Sequence, residues 1–315
     1  MATQTRVLPG VAKTARRSEG VWRDAFARLR RNRLAMIGLV LVLLFLVAAI
    51  IGPLVTPWPY QVQDTEAILA NKLQPVPPFT NPSHILGTDG LGRDYLSLLL
   101  DGAQISMTVA FVVQLVVLLI GVPIGAVAGW FGGRWDTALM RFVDVVYAFP
   151  DLLFIILLSV TFRDTAFGRA LNGVLLVFIA IGLTSWVTVA RLIRGQLLSL
   201  KETEFVEAAR ALGVRDRNIV MKHLLPNGIG PIIVAVTLGI PTAIIAEATL
   251  AFIGVGVQPP RASWGSLIAV GEPFVRSSPH LVYLPGILIA TALMSFTFLG
   301  DGLRDALDPK LKGKQ

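Results

Sequence analysis

The sequence predicts an all-α integral membrane protein, and three observations carry that expectation. Hydrophobic residues make up 54% of the 315 positions and charged residues only 15%, with a mean hydropathy of +0.68. A soluble domain carries roughly 25% charged residues, so that class is excluded. Six stretches are close to the roughly 20 apolar residues that cross a bilayer as a helix. The 28 Lys and Arg residues fall unevenly on the two sides that those stretches define.

Residues 1–33 form a basic N-terminal arm, whose first dozen or so residues read as disordered. Within it, VWRDAFARLRRNR places Trp22, Phe26 and Leu29 on one helical face among arginines, the pattern of a helix lying in the membrane interface. The first span is 34–55. Arg30, Arg31 and Arg33 precede it as basic residues precede a signal peptide, but its core of about 22 residues exceeds the 7–15 of a signal h-region, so it reads as uncleaved. The region 34–104 joins this span to an extracytoplasmic loop. A five-helix core, 105–302, follows, with spans at 105–129, 143–162, 174–190, 232–254 and 284–302, and 303–315 is a tail. Gly121, Pro123, Gly125, Pro150 and Pro241 lie inside spans, where neighbouring helices re-satisfy freed backbone groups.

Six spans place both termini on one side. Nine Lys/Arg precede the first span, two lie between the second and third, seven between the fourth and fifth, and four in the tail. That puts 22 on this side against six on the other, which makes it cytoplasmic. The same distribution excludes nucleic-acid binding, since no soluble basic domain remains. The chain has no cysteine, which excludes disulfides and thiol catalysis. His84, His223 and His280 are scattered and form no H-x-x-x-H pair, so no metal site is expected. The same dispersal leaves a membrane-bound hydrolase without a nucleophile–base set.

One charged segment interrupts the apolar chain: KETEFVEAARALGVRDRNIVMKHLLPN, 201–227. Ser199 and Glu202 have the spacing of an S-x-x-E capping box. Phe205, Ala208, Ala209 and Leu212 follow at i, i+3, i+4 and i+7, a single helical stripe, and Glu207 stands i,i+3 from Arg210. Gly213 sits where a helix ends in a left-handed residue, and a second helix is expected from an Asp216 N-cap to near Pro226. On periodicity alone this is a helical hairpin folded on the ends of its own spans.

Two other stretches carry polar groups. In LGTDGLGRD, the residues Gly87, Thr88, Asp89, Gly92, Arg93 and Asp94 form a tight turn ahead of an interfacial helix beginning at Tyr95. This turn is either a loop fold leading into the second span or part of a gate or receptor-docking surface. Three carboxylates lie within or beside spans, where an acidic group at mid-helix costs about 3 kcal/mol and therefore faces the bundle or a wet cavity. Asp144 reads as a cap and Asp151 as a group satisfying the kink at Pro150. Glu247, flanked by the small residues Ala246, Ala248 and Thr249, is either a substrate-pathway residue or a buried structural hydrogen bond. Asp151 and Glu247 together also allow a proton-coupled secondary transporter, although the two halves of the chain show no inverted repeat.

EAARALG followed by LLP resembles the EAA loop of permease subunits from bacterial ABC importers, whose pattern is E-A-A, three residues, G, nine residues, I-x-L-P. Glu207, Ala208, Ala209, Gly213, Leu225 and Pro226 match in register, and His223 replaces Ile. HILGTDGLGRD (84–94) resembles the H-x-L-G-T-D-x-x-G-R-D segment of the second permease subunit of dipeptide, oligopeptide and nickel importers. EATLAFIGVGVQPP (247–260) resembles E-A-x-L-x-F-L-G-x-G-V-Q-P-P of the same subunits, with Ile253 for Leu. The resemblance runs from about Arg30 to the C-terminus.

It implies the ABC type I importer permease fold in a bacterial cytoplasmic (inner) membrane, surrounded by lipid, in a chain that is not itself an enzyme. The implied partners are a homologous second permease, two cytoplasmic ATP-binding subunits and an extracytoplasmic substrate-binding protein. ATP and Mg2+ would sit on the ATP-binding subunits, in keeping with GLGR and GWFGGR, which lack the spacing of a phosphate-binding loop. The 195–228 region, with Arg215 among its residues, would couple to the ATPases as a lever between Ser199 and Pro226, carrying motion into the fourth and fifth spans.

Overall fold

A computed structural model describes residues 21–308, with only the backbone of Val21 and Trp22. The N-terminal segment read as disordered, the Trp22 side chain and most of the basic tail lie outside the described residues. Among the described residues there is no β-strand, only isolated bridges between single residues of the extracytoplasmic loop. Among the described residues five helices are long and apolar enough to cross a membrane, and six if one bent pair of helices is counted as a single span.

The first helix, α1 (Val21–Arg31), seats Ala25 and Leu29 against Ala35, Leu303, Ala306 and Leu307. Leu29 is therefore covered by protein, whereas Phe26, expected on the same face, is 56% exposed. Asn32 separates α1 from α2 (Arg33–Val55) and caps the latter, its Oδ1 accepting from the Ala35 N–H. A short helix, α3 (Thr65–Ala70), lies in the loop that follows.

The helix α4 (Tyr95–Phe131) is 37 residues long. The second span thus begins at Tyr95 rather than at 105, and the expected interfacial helix is its first turns. Asp94 starts it, accepting from the Ser97 N–H at 2.8 Å. Gly121, Gly125 and Gly129 recur every fourth residue along α4, facing the carbonyls of Trp186, Ala190 and Arg194 on α8, described below. A Cβ at 121 or 129 would come within 2.9 Å of its facing carbonyl oxygen, so glycine alone permits this approach.

The expected single span 143–162 is in fact two helices, α5 (Gly133–Ala148) and α6 (Asp151–Phe162), meeting at 79°. Pro150 has no N–H to continue the ladder and drives Phe149 to an extended conformation (φ −78°, ψ 134°). A single turn, α7 (Ala166–Arg169), leads to α8 (Val174–Lys201). The cytoplasmic hairpin contains α9 (Glu204–Ala211), α10 (Asp216–Ile219) and α11 (Leu225–Asn227). Then come α12 (Ile229–Phe252), α13 (Trp264–Gly271) and α14 (His280–Leu307). The largest buried cluster lies where α4, α8 and the hairpin meet.

Candidate functional site

The hairpin at 202–228 differs from its sequence reading at both helix starts. No Ser199–Glu202 capping box forms, because α8 continues through Ser199 to Lys201, with Glu202 as its C-cap. The residues added beyond Ser199 include Leu200, which packs against the core. Thr203 starts α9 instead, and Arg215 rather than Asp216 precedes α10. Gly213 is left-handed as expected, with φ +72°. The Val214 N–H donates to the Ala209 carbonyl at 3.1 Å and the Gly213 N–H to that of Arg210 at 2.9 Å, the bond pair of a Schellman motif. From Val220 to Leu224 the backbone widens into a π-turn, so the Leu225 N–H bonds the Val220 carbonyl. The wider turn gives the ring of Pro226 room where an α-turn would bring it against a carbonyl.

The expected stripe does not fold the hairpin onto the spans. Val206, Ile219 and Leu224 do so, and all three are completely buried. Of the stripe itself only Ala209 is partly covered. Phe205 is 41% exposed and Leu212 is 83% exposed, with Glu207 and Ala208 also at the surface between them. A helix of eight residues seats itself through one narrow edge and leaves the other edge outward. Arg215, His223 and Pro226 are exposed, and Leu225 is half-buried.

Arg210 does not pair with Glu207 among the described residues. Its guanidinium lies 4.8 Å from the centre of the Trp130 ring, at the end of α4. Lys201 donates its Nζ–H to the Trp130 carbonyl at 2.7 Å.

On the opposite side, the end of the loop, 84–94, encloses its polar side chains. Asp89 accepts from the backbone N–H groups of Leu91 and Arg93, each at 2.9 Å, and from the Arg93 Nε–H at 2.7 Å. Thr88 accepts from the Val76 N–H. Gly87 is left-handed with the Val76 carbonyl against it, and Gly92 is left-handed beside Asp64. Thr88, Asp89, Arg93 and Asp94 are all buried.

Sequence reading missed the centre of this loop. His84 is fully buried, with Nδ1 3.0 Å from Asp94 and Nε2 3.1 Å from Asp64, and its ring packs against Trp58. The Asp64 carboxyl lies below the usual carboxylate range, held there first by the Ala67 N–H and then by His84. No three-ligand metal cluster occurs among the described residues.

The three span carboxylates have different surroundings. Glu247 is fully buried, one oxygen accepting from Ser106 Oγ at 3.3 Å and the other unpartnered. Asp151 is exposed at the start of α6, and no hydrogen bond or ion pair joins it to Glu247 among the described residues. Asp144 does not cap a helix; it lies inside α5 and pairs with Arg191 at 2.8 Å. A fourth carboxylate, Asp101, escaped notice because the span was expected to begin after it. It is buried in α4 and pairs with Arg261 at 2.9 Å.

Comparison with known proteins adds independent information. Residues 121–313 match the family model described as binding-protein-dependent transport system inner membrane component. Residues 20–75 match the N-terminal TM domain of oligopeptide transport permease C. The chain is 39% identical over 300 residues to the oligopeptide transport system permease protein OppC of Bacillus subtilis, covering 95% of this chain and 93% of that one. It is 41% identical over 292 residues to the dipeptide transport system permease protein DppC of the same organism, covering 92% and 86%. Among solved structures, an inward-facing MetNI methionine ABC transporter chain aligns with a TM-score of 0.53 at 21% identity. That alignment covers 67% of this chain and 96% of that one, a likeness of fold alone.

Proposed function

Because this chain belongs to the family of binding-protein-dependent transport system inner membrane components, we propose that it forms half of the path by which peptides cross the inner membrane. It is a multi-pass permease subunit of an ABC importer, and ATP is hydrolysed on separate subunits. Di- or oligopeptides are the proposed cargo, in line with the names of its relatives. Beside it we place a homologous permease, two cytoplasmic ATPase subunits carrying ATP and Mg2+, and an extracytoplasmic binding protein.

The observation that carries this reading is the outward edge of α9. Phe205 and Leu212 are exposed beside Glu207 and Ala208 on a hairpin whose other side is fully buried. An apolar edge on a polar, cytoplasmic helix suits a groove in a partner, with the helix as the docking element. Closure of the ATPases on ATP would move that groove and, with it, the hairpin. Packed helices switch between discrete arrangements rather than deforming, so the path would pass from inward-facing to outward-facing.

The remaining residues fit this scheme. The enclosed turn from Gly87 to Asp94 makes the extracytoplasmic loop a rigid rim, on which a receptor or gate can bear. Glu247 is enclosed and bonded to Ser106, so its part in the pathway would run through α4 rather than through contact with cargo, and Asp151 is placed at the exposed bend between α5 and α6. No hydrogen bond or ion pair among the described residues joins these two carboxylates directly, so a relay between them has no direct contact to run through. Vesicles reconstituted with the whole complex test the choice. Uptake of a dipeptide with ATP and no proton gradient is expected, and uptake that follows the gradient without ATP would overturn the proposal.

A further inference from the structure

The hairpin continues from α8 along the chain, and it also touches the end of α4 through one side chain, Arg210 on Trp130. Trp130, in the last turn of α4, is buried and receives two cations. Lys201, the last residue of α8, donates to its carbonyl and lies 5.7 Å from its ring centre. Arg210, on α9, lies 4.8 Å from the same ring centre. A guanidinium or ammonium over an indole face is attracted by the ring quadrupole, and Trp is the best of the aromatic acceptors. Three chain segments therefore converge on one side chain.

Two further features let a force at that point travel. The glycines at 121, 125 and 129 hold α4 and α8 backbone to backbone, so the two helices move as one body. At 37 residues, α4 is about 55 Å long at 1.5 Å per residue, enough to reach through the membrane. Towards its other end it carries Asp101, paired with Arg261, and Ser106, bonded to Glu247.

We propose that Trp130 is a positioning residue that bolts the coupling helix to the second span. Through it, motion of α9 drives α4 and α8 together and reaches the Glu247 region along α4. The route into the fourth and fifth spans expected from chain order is thus joined by one into the second. This inference rests on the ABC reading above.

The test measures dipeptide uptake and ATP hydrolysis together in vesicles holding the whole complex. Arg210→Gln and Trp130→Leu are expected to leave assembly and hydrolysis in place while peptide moved per ATP falls about fivefold, and Arg210→Lys to retain most of it. The double variant should be no worse than the worse single one. Because the chain has no cysteine, Trp130→Cys combined with Arg210→Cys creates the one thiol pair of this subunit. Joining that pair with a short bismaleimide should restore peptide moved per ATP. Position 210 is exposed, so Arg210→Gln decides alone if the Trp130 variants fail to assemble. An unchanged ratio, additive losses, or a link that restores nothing would overturn the bolt. Wild-type vesicles without ATP-driven uptake would instead overturn the functional reading and the bolt along with it.

Discussion

In the loop at 56–94, Asp89, Arg93, Asp94 and His84 turn inward and bond one another or the backbone. In the hairpin at 202–228, Glu207, Arg215, Arg217 and His223 turn outward, and Phe205, Leu212 and Met221 are exposed beside them. Both regions use short helices and left-handed glycines, and both resemble motifs of one family. The difference teaches that a recognisable motif can be used in two ways: the 84–94 motif consumes its polar residues in its own fold, and the hairpin motif displays them. Substitutions in the first should therefore cost stability, and substitutions in the second should cost coupling.

The largest effect belongs to Asp89→Ala. It leaves the enclosed Arg93 guanidinium unpaired and two backbone N–H groups without their acceptor, a loss of about 3–5 kcal/mol. Melting of the detergent-solubilised protein should fall steeply, and a wild-type midpoint would break the comparison. His84→Phe removes the bridge between Asp64 and Asp94 while keeping a ring against Trp58, for about 2 kcal/mol. The same melting assay checks it, and wild-type stability would mean that the bridge is not part of the fold's support.

On the cytoplasmic side, Gly213→Val meets open space, so only the left-handed backbone opposes it. That cost is local, about 1–2 kcal/mol, and should straighten or shift the turn after α9. The protein should reach the membrane in normal amount while ATP-driven uptake drops; wild-type uptake at normal abundance would show that the turn does not transmit. Glu207→Ala should change stability least, within about 0.5 kcal/mol. It should nevertheless recover less ATPase from detergent extracts than an Arg217→Ala control, and equal recovery from the two would confine docking to the apolar residues.

Much of this division was legible in the sequence because its signals are local. Hydropathy located the apolar stretches, and the positive φ at Gly213 followed from the end of the α9 pattern. Signals that depend on distant partners were not legible. The start of the second span at Tyr95 is one such case: it carries Ser97, Asp101 and Gln104, whose partners, Trp58 and Arg261, lie far away in the chain. Pro150 was visible, but whether a membrane helix continues through a proline or breaks there depends on its neighbours. His84 lay in a matched motif, yet the two carboxylates that hold it are 10 and 20 residues away. Arg210 had a local partner by spacing in Glu207, and its contact with Trp130 could be seen only once α4 and α9 meet.

The central claim is that the outward edge of α9 is a docking surface for ATPase subunits. Leu212, 83% exposed, is the side chain whose change can least disturb the permease itself. Leu212→Asp places a charge on that edge, and the direct measurement is recovery of the ATPase subunits with the purified, detergent-solubilised permease. The account predicts a variant that melts like the wild type and loses most of its ATPase. Full recovery of the ATPase, with undiminished ATP-driven uptake, would contradict it.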